Sequence, residues 1–331
     1  GVGALNGLMT FSSGRYTNVG IGDFLLGLAT QQRVTLLHEA QLYTDGWQVY
    51  GQDAWRVTPT FTVNYGLRYE YFTPMLDRNG LLTNIDPATG ARITAKKDGS
   101  IFERALIEPD RNNFAPRVGF TWRPLEKMVV RGGFGVFYQH TDRYGSEAQM
   151  ALNPPQLADV VITANNRNEA PAAILRNGFV PVEGRPINPA LVQWRIQDPN
   201  QKTPVVRQFS LGPEYEMFEG TVLAIEYVGN QTRNGRRLRN LNQGIIATPG
   251  VGPVTFPYAQ YGYGSAFLQQ VATFGKTDYH SVQLRLQRRF MKGFAYTASF
   301  TYGRALGDFL DHLSADGGGG DLHDITAAHA C

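Results

Sequence analysis

The sequence predicts an all-β chain: an antiparallel up-and-down transmembrane β-barrel, incomplete, forming an open curved sheet of about nine strands. Three observations lead there. Runs of two-residue alternation reach membrane-spanning length, they come in pairs joined by very short links, and long polar segments separate the pairs. The clearest start is Gly46 to Thr73, two such runs joined by Thr58, Pro59 and Thr60. In its second half Phe61, Val63, Tyr65, Leu67, Tyr69 and Tyr71 alternate with Thr62, Asn64, Gly66, Arg68, Glu70 and Phe72. Period two puts one set on each face of a strand. A soluble sheet would bury the apolar face under a second layer, whereas a membrane barrel turns it to lipid and the charged face to the lumen.

Residues 1–22 are rich in Gly, Ser and Asn and read as loop, followed by a strand expected from Gln31 to Leu42. In the first half of the hairpin Trp47, Val49, Trp55 and Val57 share a face with Asp53. A carboxylate on a lipid face is costly at mid-depth, so Asp53 is expected near the turn or at a bulge. Residues 75–113, with Pro74 just before them, carry Pro87, Pro109, DPATG and KKDGS, and read as a long loop. A second hairpin sets Val118, Phe120 and Trp122, then Val130, Phe134 and Val136, against Arg117, Arg131, Gly133 and Gly135. The two glycines are expected to let another backbone approach. Residues 141–202 read as a second long loop with a short helix near Ala172 to Arg176.

The third hairpin, Val205 to Gly229, turns at Phe218, Glu219 and Gly220 and alternates Leu223, Ile225 and Tyr227 with Ala224, Glu226 and Val228. Residues 230–278 read as a third long loop. In the fourth hairpin Val282, Leu284, Leu286 and Phe290 oppose Ser281, Gln283, Arg285 and Gln287, and after Met291, Lys292 and Gly293 the alternation resumes from Phe294 to Tyr302. Loops of compact domains have a median of about 4–6 residues. Short turns at 58–60, 124–127, 218–220 and 291–293 on one side and long loops on the other are the asymmetry of outer-membrane barrels. Trp55, Phe61, Trp122, Phe218, Phe290 and Phe294 crowd the short-turn ends and are candidates for an interfacial aromatic girdle. Arg68, Glu70, Arg117, Arg131, Glu226 and Arg285 are the lumen-facing candidates, either hydrating a polar lumen or holding a plug or guiding a solute.

Composition agrees. The 331 residues include 37 Gly, 19 Phe and 16 Tyr, and mean hydropathy is −0.27. No apolar run reaches the ~18 residues of a membrane-crossing helix, which leaves barrel strands untouched. A net charge of +3, with Arg spread along strands, gives nucleic-acid binding little support. One cysteine, Cys331, excludes an internal disulfide framework and a cysteine metal site within the chain. The first residues lack a basic segment followed by an apolar core, so no signal peptide is expected there.

The segments YGQDAWRVTPTFTVNYGLRYEYFTP, NNFAPRVGFTWRP, VVRGGFGVFY, VRQFSLGPEYE, AIEYVGNQ and DYHSVQLRLQRRFMKGFAYTASFTYGRALGD occur in this order over most of residues 20–310. Together they resemble the barrel portion of TonB-dependent receptors of the Oar-like type, which carry a carboxypeptidase-regulatory-like domain. That resemblance implies a barrel of about 22 strands filled by a plug, driven by TonB through a short box in the plug, and seated in the outer membrane of a Gram-negative-type bacterium. The partners it implies are outer-membrane lipid, the plug and through it TonB, and an extracellular substrate of unknown identity. About nine strands fall short of such a barrel, so residues 1–310 are expected to be part of one, with plug, TonB box and regulatory domain outside this sequence. Residues 311–331 lose the alternation and are expected to be a disordered or truncated glycine-rich tail. The expected function is a section of a receptor or transporter for a bulky nutrient; the alternatives are an adhesion or secretion-linked barrel and a soluble β-sandwich binding module.

No enzyme signal is found and no cofactor is expected. Asp311, His312 and Ser314 are merely adjacent, which is not how a triad is built. GGFGVF and YGYGSAF lack the phosphate-loop lysine and the third glycine of a dinucleotide fingerprint. His323, Asp324, His329 and Cys331 do not have zinc-site spacing. Asp142 with Glu147, and Glu214 with Glu216, are explained by solvation, and the sequon at Asn230 by chance.

Overall fold

A computed structural model of the chain describes residues 6–12, 15–140, 149–182, 184, 187–246, 254–291 and 293–308. Lys292 and the expected tail therefore lie outside the described residues, as do Asp142, Glu147 and the tail histidines. Eight long strands dominate: β1 (Gly46–Thr58), β2 (Phe61–Phe72), β3 (Phe114–Leu125), β4 (Met128–Tyr138), β5 (Val205–Phe218), β6 (Thr221–Asn240), β7 (Leu268–Met291) and β8 (Phe294–Gly307). Each pairs antiparallel with the next in the chain, from β1 through β8. Consecutive antiparallel neighbours put alternate connections at opposite ends, so the four short turns share one end and the three long connections the other. A register irregularity sits beside each short turn: at Arg56/Thr58, Trp122/Leu125, Glu216/Phe218 and Arg288/Met291. Such bulges sharpen the local twist where a ladder must reverse. Gly220 at φ 71° and Gly293 at φ 80° supply the left-handed backbone that two of the turns require.

The ninth member of the sheet is not the expected one. Gln31–Leu37 does form a strand, but it pairs with Leu8–Thr10 and Leu157–Thr163 in a separate three-stranded sheet. The large sheet gains instead Trp194–Gln197, which runs parallel to the first residues of β7, Leu268 to Val271. Its free edge at the start is therefore β1, and β8 is the other, along part of β7. Alternation alone shows that a segment is a strand; it does not show which sheet completes it.

Two other expectations fail at the long-loop end. The loop placed at 230–278 is shorter, because β6 continues to Asn240 and β7 starts at Leu268. Past Thr232 the pairing is broken by irregularities around Gly235, and the Arg-rich side chains no longer alternate with apolar ones. At 20 and 24 residues these strands outrun the ~9–11 that span a bilayer. The helix near Ala172 is a two-residue strand, Ala173–Ile174, followed by a 3-10 turn at Leu175–Asn177.

The long connections are not structureless; they hold the apolar core. Trp194, Ile196, Ile85, Tyr263 and Leu268 form one buried cluster, with the Trp194 and Tyr263 rings edge to face at 6.0 Å. Leu82, Leu106, Ile107 and Met150 form another. Three buried asparagines act as peptide mimics between segments that share no regular ladder. Asn84 donates to the Gln197 carbonyl (2.9 Å) and accepts from the Gln197 amide (3.1 Å). Asn153 donates to the Thr83 and Arg195 carbonyls, both at 2.6 Å, and accepts from the Arg195 amide. Asn242 donates to Gly264 and Ala266 and accepts from the Tyr258 amide. Each leaves fewer backbone groups unpaired in the interior, where an orphan costs about 1–3 kcal/mol.

A short helix, Ile101–Ala105, closes this module through a capping box: the Ser100 hydroxyl accepts from the Glu103 amide and the Glu103 carboxylate accepts from the Ser100 amide at 3.0 Å. The Lys96 ammonium donates to the same carboxylate at 2.6 Å. Lys96 and then Ser100 hold the Glu103 carboxyl down to about 2, against an ordinary value of 4.5. A depressed carboxyl contributes stability above its unfolded value and loses it as pH falls toward the folded one. Amide-exchange protection of residues 101–105 should accordingly be flat above pH 4.5 and decline between 4.5 and about 2. Lys96→Met should make that decline smaller and end it at higher pH, and an unchanged profile would show that Lys96 does not set it.

Candidate functional site

Register fixes which side chains share a face, because directly paired residues point the same way. Arg68 lies opposite Ala115, with Gly66 opposite Arg117; Arg117 faces Gly135 and Thr121 faces Arg131. From there Arg131 meets Gly212, Glu214 meets Ala224, Ala224 meets Arg285, and Glu226 meets Gln283. All six charged candidates, Arg68, Glu70, Arg117, Arg131, Glu226 and Arg285, thus stand on one face of one sheet. The opposite face carries Val63, Leu67, Phe120, Val136, Ile225, Leu284 and Phe300. Its large side chains are open: Leu67 is 51% exposed and Phe300 60%.

The charged face is organised around two carboxylates. Glu70, at the long-loop end of β2, has a side chain only 4% exposed, pairs with the Arg68 guanidinium (2.5 Å) and shares a hydrogen bond with the His140 ring (2.6 Å). Arg68 also donates to the Gln48 side chain at 2.7 Å, and the His140 ring packs on Phe72 with centroids 3.9 Å apart. Glu214 joins Arg131 at 3.3 Å and Arg285 at 3.8 Å, linking β4, β5 and β7 across the face. Sequence reasoning explained Glu214 by solvation and passed over His140. The tie through Glu214 depends on the register of three strands, and the contact of His140 on where the chain goes after β4. Glu226 is exposed and has no ionic partner among the described residues.

Arg117 is held differently. Its guanidinium lies 4.7 Å from the centroid of the Phe137 ring, and that ring occupies the space above Gly135, where a Cβ would come within 2.8 Å of it. Gly135 makes room for an aromatic ring, not for another backbone as expected, and Gly133 faces open space, with its nearest contact the Val118 carbonyl at 3.8 Å. Asp53 likewise departs from expectation: it is in regular register with Tyr65, short of the bulge, and its carboxylate accepts the Tyr65 hydroxyl at 3.1 Å. The sequon residues Asn230, Gln231 and Thr232 are paired inside the sheet between β5 and β7.

The aromatic candidates occupy the turn end of the apolar face. Trp55 is 59% exposed, Trp122 46%, Phe218 65%, Phe290 75% and Phe294 61%. Phe61 pairs with Trp122 and packs on Phe120 with ring centroids 6.2 Å apart.

The two carboxylate centres differ in burial, and so in what they contribute. Glu70→Gln replaces the carboxylate that the partly buried Arg68 guanidinium and His140 ring share by a neutral amide and should cost about 1.5–3 kcal/mol in urea unfolding of the detergent-folded chain. Glu214→Gln breaks contacts to guanidinium groups 61% and 55% exposed and should stay within about 1 kcal/mol. Equal losses would show that burial does not rank them.

The outer membrane beta barrel domain family matches residues 2–329. Among solved structures the chain is similar to the siderophore receptor PirA from Acinetobacter baumannii, at 11% identity and a TM-score of 0.44, covering 78% of this chain and 27% of that one. It is similar to a mutant of the ferric enterobactin receptor PfeA from Pseudomonas aeruginosa, at 13% identity and a TM-score of 0.42, covering 78% and 26%. It is similar also to the FrpB iron transporter from Neisseria meningitidis, at 11% identity and a TM-score of 0.42, covering 82% and 26%. The chain spans about a quarter of the length of each of these. No curated protein matches it.

Proposed function

The chain belongs to the outer membrane beta barrel domain family, and from that premise we propose that it is a section of the barrel of a TonB-dependent receptor of the Oar-like type, importing a bulky nutrient. Its place is the outer membrane. The observation that carries the receptor reading is the two-faced sheet: six charged candidates on one face, an open apolar surface on the other, and an aromatic row at the short-turn end. In this reading the apolar face meets lipid, Trp55, Phe61, Trp122, Phe218, Phe290 and Phe294 form the periplasmic girdle, and the long connections face outside. Arg68, Glu70, Arg117, Arg131, Glu226 and Arg285 line the lumen and meet the plug, through which TonB delivers energy. The free edges β1 and β8 pair with further strands of the same barrel, since unpaired backbone is not tolerated in hydrocarbon.

A second reading, an adhesion or secretion-linked barrel without active transport, draws support from the loop module with its own core, a form suited to holding a partner at the surface. The two separate in cells. Uptake that disappears with TonB supports the receptor; surface binding that persists without TonB, with no uptake of any solute, supports the adhesin.

Facing is tested directly. Leu284→Lys should cost about 2–4 kcal/mol, or block membrane assembly, as a cation near mid-depth on the lipid side does. Its neighbour Gln283→Lys, on the charged face, should assemble normally, and the reverse ranking would overturn the assignment. Orientation is tested in a Cys331→Ser background: in intact cells a membrane-impermeant maleimide should label Asp98→Cys and spare Glu219→Cys, whereas equal labelling contradicts it.

A further inference from the structure

The loop module forms an open cavity of about 720 Å³ between the tip of the Thr83–Thr94 hairpin, the helix Ile101–Ala105, the segment around Pro199 and the outer ends of β6 and β7. That volume lies within the ~300–1,000 Å³ of small-molecule sites. Its walls are tied to one another by backbone bonds: Glu108 N to Pro199 O at 2.8 Å, Asp198 N to Val271 O at 2.9 Å. The Tyr258 hydroxyl donates to Pro87 O at 2.6 Å and fixes the hairpin tip. The cavity is therefore formed without a ligand.

Charges of both signs in it lack a counter-charge, although Asp86 accepts from the Ala88 amide and the Thr89 hydroxyl and Asp198 from the Asn200 amide. From β6, Arg239 donates through Nε to Gln270 Oε1 at 2.6 Å and lies 5.6 Å from the Phe274 ring centroid, which holds the guanidinium plane. That bond turns the oxygen of the Gln270 amide toward Arg239, so the amide nitrogen is the atom left over. Gln270 is 1% exposed, and this nitrogen has no hydrogen-bond partner among the described residues. Arg239 has no carboxylate partner among them either. That nitrogen is closed off from the cavity, and the Arg239 guanidinium is the donor that a ligand carboxylate can meet there. In the same cavity Asp86, Asp198 and Glu108 have no cationic partner among the described residues, while Lys96 is taken by Glu103. Phe102 and Ile93 add an apolar wall.

We infer that this cavity binds a zwitterionic ligand, a short peptide with free termini. Its carboxylate lies against Arg239, its ammonium against Glu108 and Asp198, and a side chain against Phe102. An anionic ligand leaves three carboxylates facing it, and a neutral sugar leaves the guanidinium without a counter-charge. The inference deepens the receptor reading by naming the substrate class.

The test is calorimetric titration of the full chain in detergent micelles with Ala-Leu-Ala, with its N-acetylated and C-amidated forms, and with maltotriose. Free Ala-Leu-Ala should bind, and either block should weaken it tenfold or more. Arg239→Gln should remove the penalty for amidation while keeping that for acetylation, a pattern that misfolding does not produce. The comparison of blocked and free peptides on the unmutated chain stands even if that variant fails to fold. Equal binding of free and doubly blocked peptide, no binding at millimolar concentration, or tighter binding of maltotriose overturns the inference. Peptide binding without TonB-dependent peptide uptake in cells would instead count against the receptor reading.

Discussion

Every feature of the large sheet follows from the need of the backbone for partners where water is absent. A strand in hydrocarbon has nothing to bond to except its neighbours, so each of the inner strands from β2 to β7 is paired along both edges through its spanning part. Once pairing dictates an up-and-down sheet, period two does the rest. One face must be acceptable to lipid and the other is free to be polar, and a single-residue slip would exchange them. The sheet then has no interior of its own. Leu67, Leu284 and their neighbours are on the surface by necessity, and soluble monomers rarely carry open apolar area of this kind.

The interior that the sheet lacks is built in the connections. Their buried core depends on side chains that sequence periodicity does not advertise: one tryptophan, Trp194, fully buried, and three asparagines whose amides replace missing backbone partners. This division explains what could be read in advance. β1 to β5, the first part of β6, the second part of β7 and β8 were legible because lipid and lumen impose a pattern on consecutive residues. The loop module was not, because Asn84 meets Gln197 and Asn153 meets Arg195 across distances in sequence that no local pattern records.

The same distinction applies to the charged face. Alternation alone put Arg68, Glu70, Arg117, Arg131, Glu226 and Arg285 on one side, and the register agrees. It could not say which of them would be paired. Glu214 reads as a solvated carboxylate until the strands on both sides are aligned, when it falls between Arg131 and Arg285. Gln31–Leu37 shows the opposite failure: a correct strand assigned to the wrong sheet, because its true partners, Leu8–Thr10 and Leu157–Thr163, are short and polar-flanked.

β6 and β7 connect the two parts of the molecule. Their inner lengths belong to the amphipathic sheet. Beyond the irregularities at Thr232, Gly235 and Arg236 the same two strands continue as a twisted pair whose outer end carries Arg239 and Gln270 into the loop module and whose edge accepts Trp194–Gln197. The break in register matters because it releases the outer part from the lipid-and-lumen alternation, so its residues can be chosen for packing and polarity. The same two paired strands thus run from the amphipathic sheet to the loop cavity, with the register irregularities between. A group held by Arg239 is held by the same strand whose inner half contributes Glu226 to the charged face, so the position of the cavity over the sheet is set by backbone hydrogen bonds rather than by loop packing alone.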